Sequence, residues 1–210
     1  RRKNEVEEAF GRLQIRPASM ARRSYPEDPK ELRALLDGFF SQPDTGAITG
    51  ATNGDETIGI VAPHIDFMRG GPTYPPAYRP LARSNADTFV ILGISHAGGA
   101  TPLIPTRKDF ETPFGLAETD RDILDILENN LAGRRGWDRI YSGEYAHAHE
   151  HSIEFQVVFL QYLLAGKRPY RILPILCPFS HEEVQEESQV PMYRISASGA
   201  SSVGVSDTDP

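Results

Sequence analysis

His64 and His96 each stand directly after a short apolar run, Thr57–Ala62 and Thr88–Ile94. Aliphatic and β-branched runs of that length predict buried strands. In open α/β sheets, ligands bind beyond the carboxyl ends of strands. Two imidazoles at two such ends can converge although 32 positions separate them. Neutral imidazole suits zinc, iron or copper, whereas magnesium and calcium prefer oxygen donors. Two unrelated loop histidines are the plainer alternative. Asp66 lies two residues beyond His64 and is a candidate additional ligand, or an acceptor for an imidazole N–H. An Asx-turn ahead of Gly70-Gly71 competes with both roles.

A second cluster reads His147-Ala148-His149-Glu150-His151-Ser152-Ile153-Glu154. Three histidines in five residues could chelate a metal. The pattern is not the HExxH helix, because position 153 is Ile. In an extended segment His147, His149 and His151 would share one side and Glu150 would face the other. A helix starting at 149–151 would change that geometry. Ser152 is a candidate cap for a helix starting near Ile153, although Phe155 stands where a capping box needs an acid. A ligand or catalytic role and a local capping role both remain open here. Cys177 closes a third apolar run and reads as a small core residue. No GxSxG elbow, Walker loop or GxGxxG fingerprint occurs.

The elements that must position these groups follow from periodicity. Residues 2–13 predict a short helix with Val6, Ala9, Phe10 and Leu13 on one face. Asp28 and Pro29 are a cap and first-turn pair for a helix carrying Leu32, Leu35, Leu36, Phe39 and Phe40 on one stripe. Residues 74–86 predict a helix interrupted by Pro75, Pro76 and Pro80, and residues 119–131 an amphipathic one. Ile153–Leu164 is a strongly apolar helix, and Tyr170–Leu176 a third buried strand. Strands alternating with helices imply an α/β fold, a layered sheet flanked by helices. The alternation stops after the third strand, which predicts a domain cut short at its C-terminal side and an exposed sheet edge. Residues 1–14 read as a basic leader, 15–180 as the α/β domain, and the Ser-rich 181–210 as a disordered tail.

Composition narrows the classes. Hydrophobic residues are 39% of the 210, enough for a core and too many for a wholly disordered chain. The net charge is −7, while residues 1–23 alone carry seven Lys/Arg against three Glu. An acidic body is a poor match for nucleic acid, whose phosphates need Lys and Arg. One cysteine excludes an internal disulfide and a multi-Cys zinc site, and fits a reducing cytoplasm. No apolar run is long enough to predict a membrane span, and no signal peptide is expected.

Four segments, in order, carry a family resemblance. Val61-Ala62-Pro63-His64-Ile65-Asp66-Phe67 resembles the APHAGY-type segment of the MEMO family, also called AmmeMemoRadiSam system protein B. Ile91-Leu92-Gly93-Ile94-Ser95-His96 resembles its ILGPSH segment. Phe110-Glu111-Thr112-Pro113-Phe114-Gly115 with Asp120 is similar to its TPLG…D segment. Glu150-His151-Ser152-Ile153-Glu154 with Phe159-Leu160 resembles EHSIE…PFL. Arg16-Pro17, Tyr25-Pro26 and the strand Arg171–Leu176 extend the resemblance over roughly residues 15–178.

The resemblance implies a fold similar to class III extradiol dioxygenases, which are non-heme iron enzymes. It implies that His64 and His96 are metal-site histidines, with His151 and Glu150 as polar or acid–base groups of the pocket. It implies Fe(II) or Cu as cofactor, with Zn as a further option, and a vestigial or uncharacterised dioxygenase-like activity. It also implies a small-molecule or peptide ligand in the pocket, and an AMMECR1-type or radical-enzyme partner. Three departures bear on this. Ile65-Asp66 replaces the usual Ala-Gly, Ala97 stands where many members have a second His, and the family's C-terminal part, with a further His and Cys, has no equivalent here. Two other classes compete. One is a non-catalytic peptide- or protein-binding module using the same pocket, although Phe67, Tyr74 and Tyr78 read better as core than as its walls. The other is a metallohydrolase.

Overall fold

A computed structural model describes residues 2–43, 57–99, 101–133 and 140–178. The expected tail at 181–210 lies outside the described residues. The helices are α1 (Arg2–Gly11), α2 (Pro29–Phe40), α3 (Phe67–Gly70), α4 (Pro75–Tyr78), α5 (Arg121–Leu131) and α6 (Ser152–Leu164). The strands are β1 (Ile15–Arg16), β2 (Thr88–Ser95), β3 (Ile104–Pro105), β4 (Asp109–Thr112), β5 (Gly115–Ala117) and β6 (Arg171–Pro178). They form two mixed sheets, ordered β1-β4-β5 and β2-β6-β3. β2 and β6 run parallel over their full length, from Thr88 opposite Arg171 to Ser95 opposite Pro178. The class is α/β, as the alternation implies.

α6 carries apolar residues on every side, which is the pattern of a helix buried all round. Eleven of its residues, including Ile153, Phe155, Val157, Val158 and Phe159, are buried. One face of β2 packs on its first turn. A Cβ on Gly93 would sit 2.5 Å from Ile153 Cγ1 and 2.7 Å from Ser152 Oγ, so only glycine allows the helix to lie this close. β6 lies between β2 and β3 and is buried on both faces, as its unbroken apolar run predicts. Leu173 and Ile175 meet Leu124 of α5, while Ile172 and Leu176 join the main core. Phe67, Tyr74 and Tyr78 are buried in an aromatic cluster around Phe159, with Tyr74 stacked on it at 4.3 Å between centroids.

Three expectations need correction. Thr57–Ala62 is not a strand: the segment is irregular, and Ile58 and Val61 are 99% and 98% exposed. β-branched residues favour a strand only where a neighbouring strand bonds the backbone, and no described strand pairs with this run. Ser152 does not cap α6. The helix starts at Ser152 after His151, and Glu150 accepts from the N–H groups of both residues instead. Of the four apolar residues expected on one face of the first helix, Val6 and Leu13 are exposed; Phe10 is buried, edge-on to Tyr145.

Candidate metal centre

Three separate pieces of chain bring His64, His96 and His151 together. His64 leaves the irregular run that follows Thr57–Ala62. His96 sits just past the end of β2, and His151 directly precedes α6. Each imidazole offers one nitrogen, and these nitrogens lie within 4.8 Å of one another. The His96 and His151 rings stack at 4.8 Å, and His64 stands 5.3 Å from the first and 5.7 Å from the second. No other group of three or more His, Cys, Asp or Glu among the described residues meets the same spacing.

Glu150 is buried behind this trio. Its carboxylate accepts the His96 backbone N–H at 2.9 Å and faces His96 Nδ1 at 3.0 and 3.1 Å. A carboxylate only accepts, so Nδ1 carries the proton and the Nε2 lone pair is left for the site. Burial pushes the Glu150 pKa up, but N–H groups of Ser152 and His96 and the His96 ring outweigh it. The carboxyl is held below its usual value. Burial lowers the His151 pKa, opposed by Glu150 and aided by the other two imidazoles, so this ring favours the neutral form that can donate a lone pair.

His147, His149 and His151 do not share one side. A 3₁₀ turn over Glu144–Ala148 sends them to three places. His147 is buried and donates from Nε2 to the Ile104 carbonyl at 2.8 Å. Burial drives its pKa down to about 4. His149 is exposed beside Tyr145. Asp66 caps α3, accepting from the Arg69 N–H at 3.1 Å and pairing with its guanidinium, which holds the carboxyl below its usual range. It stands outside the histidine trio. Cys177 is half-buried with its pKa raised by burial, opposite Ile94 in the β2–β6 ladder.

Sequence reasoning missed the support beneath the trio. Glu154, fully buried in α6, accepts from the Arg16 guanidinium, Tyr25 OH, Ser19 N–H and Oγ, and Met20 N–H. Arg16, also fully buried, donates to the carbonyls of His147 at 2.9 Å and Glu150 at 2.7 Å. One signal was available: an acid inside a predominantly apolar helix demands a buried partner. Gln156 of the same helix donates from Nε2 to the Pro63 carbonyl at 3.0 Å, and Tyr74 OH donates to the Ile65 carbonyl at 2.7 Å. A cavity of about 530 Å³ adjoins His64, between the 57–62 segment and β2.

The profile of the family described as "Memo-like protein" matches residues 16–203. A MEMO1 family protein of Methanococcoides burtonii is 30% identical over 93% of this chain and 67% of its own length. One of Methanopyrus kandleri is 34% identical over 80% of this chain and 57% of its own. One of Aquifex aeolicus is 28% identical over 93% of this chain and 50% of its own. The chain thus spans between half and two thirds of the length of these relatives. It belongs to the Memo-like protein family.

Proposed function

We propose that this chain holds one transition-metal ion through His64, His96 and His151, with Glu150 fixing the tautomer and orientation of His96. The observation that carries the reading is the spacing of three imidazole nitrogens within 4.8 Å of one another. The carboxylate behind His96 supports it, because metal-bound histidines characteristically give their second N–H to such a partner. An all-imidazole donor set suits iron, copper or zinc, and the residues present fit such an ion. We favour Fe(II) or Cu. Three protein donors leave positions open, where a bound ion would supply Lewis-acid or redox chemistry of a dioxygenase-like kind. The chain's own part is then to hold His96 with its proton on Nδ1, to keep His151 neutral, and to present an apolar cavity beside His64 for a small organic ligand.

The test is an anaerobic titration of the folded chain with Fe(II) and Cu(I) by calorimetry. Binding at one ion per chain, lost in the His64→Ala, His96→Ala variant, is the expected result. Equal affinity in that variant overturns the proposal.

A second reading is favoured by the same cavity. Its walls include Ile60, Ala62, Phe89, Ile91 and Leu160, an apolar lining that suits an extended peptide as well as a small molecule. A non-catalytic module would keep binding its peptide when the histidines are replaced.

A further inference from the structure

His64 adjoins no helix or strand that could aim it, yet it must meet two rings that directly flank β2 and α6. We infer that Gln156 is the positioning residue for His64, with Tyr78 and Tyr74 completing its support. The inference rests on the metal reading above and adds to it the residues that hold one ligand in place.

Gln156 stands on α6, five residues beyond His151. Its Oε1 accepts the Tyr78 hydroxyl at 2.6 Å. Its Nε2 donates to the Pro63 carbonyl and to the Ser152 carbonyl, both at 3.0 Å. The orientation of the amide follows from its partners: two carbonyls only accept, so the NH2 must face them, and the hydroxyl then serves the oxygen. Tyr74 grips the other side of the histidine through its bond to the Ile65 carbonyl. Both tyrosines are buried, and both stack on Phe159. The two carbonyls that flank His64 are therefore bonded by side chains rooted in the aromatic core. With the Pro63–His64 peptide bonded to Gln156 and the Ile65–Asp66 peptide bonded to Tyr74, the chain is pinned before and after His64, and its ring is aimed from α6 and the aromatic core and not by its own segment.

The other two histidines depend on the same turn of helix. Ser152 Oγ donates to the Ile94 carbonyl at 2.9 Å, two residues before His96, and Glu150 holds His96 itself. Residues 150–156 thus set all three rings against one another.

The experiment uses the full chain and Co(II), whose visible absorption reports ligand geometry. Gln156→Met removes all of the amide's bonds. Gln156→Glu keeps an acceptor for Tyr78 and removes the donor to Pro63. Tyr74→Phe removes only the bond to Ile65. Gln161→Met is the control: Gln161 is a buried amide of the same helix that bonds Thr112 and the Gly115 carbonyl, away from His64. Replacing the support of a metal ligand costs roughly 10–100-fold in affinity. Both Gln156 variants are expected to lose about that much and to change the Co(II) spectrum. Tyr74→Phe is expected to shift both in the same direction, and Gln161→Met to leave both unchanged. Wild-type affinity and spectrum in the Gln156→Glu and Tyr74→Phe variants overturn the inference, as does an equal loss in Gln161→Met. If the wild type binds no Co(II), or binds it equally well as His64→Ala, the metal reading falls first and takes the inference with it. Where Gln156→Met does not fold, the Gln156→Glu and Tyr74→Phe variants decide the matter alone.

Discussion

Glu150 meets His96 twice, once at the backbone N–H at 2.9 Å and once at Nδ1 at 3.0 Å. One carboxylate therefore sets both where the residue lies and which ring nitrogen faces the site. Replacing it by Gln allows the amide to face Nδ1 with either end, so the tautomer is no longer dictated. Glu150→Gln is expected to weaken Fe(II) or Cu binding by roughly 10–100-fold with the fold retained. Calorimetric titration beside circular dichroism checks this, and unchanged affinity would falsify the role given to Glu150.

The Arg16–Glu154 pair is fully buried, and five donors converge on Glu154 from four residues. Removing one partner strands the other charge away from water. Glu154→Ala is expected to cost about 3–5 kcal/mol, whereas removing both charges together costs less than the sum of the single losses. Urea unfolding of the two single variants and the double variant at neutral pH measures it. Additive losses would show that the two charges do not act as a unit.

Gly93 allows α6 to touch β2. Gly93→Ala forces its new methyl against Ile153 and Ser152. Overpacking of this kind costs about 1–3 kcal/mol. A lowered thermal midpoint is expected, and a wild-type midpoint would mean that the helix can retreat without loss.

His147 makes stability pH-dependent. Folding holds its pKa near 4, chiefly through burial, against the ordinary 6.5. Above pH 6.5 the ring is neutral in both states and contributes no pH dependence. As the pH falls from 6.5 to 4 the unfolded chain takes up a proton that the folded chain refuses, so stability drops, by on the order of 3 kcal/mol once the window is crossed. His147→Gln retains a donor for the Ile104 carbonyl but does not titrate. It is expected to flatten this part of the acid limb when urea midpoints are compared at pH 7 and pH 4.5. Parallel acid limbs in the two proteins would rule the group out.

Much of the frame could be read before any coordinates. β2, β6, α2, α5 and α6 carry their apolar patterns in plain sight, and Asp28 caps the helix it precedes. The approach of His64 to His96 was legible from their places beyond two apolar runs, although the first run is not a strand. What sequence could not reveal were relationships across the chain. Arg16 and Glu154 are 138 positions apart, and Gln156 and Pro63 are 93 apart. His151 joins the trio because a 3₁₀ turn ends three residues before it, and the length of such a turn is not written in local composition. The separation of His147 from His151 has the same cause.

Arg16 bonds the carbonyls of His147 and Glu150 and the side chain of Glu154, so the first strand and the start of α6 are tied at three points. Such a knot opens as one piece. Any excursion that lifts residues 16–25 off the body also releases the peptide bonds that carry Glu150 and His151. An ion held by the histidines would then leave in the same event that frays a segment more than a hundred residues away in sequence. Amides at Ser19, Met20, His151 and Ser152 would share one protection factor against hydrogen exchange, and a ligand on the rings would raise all four together.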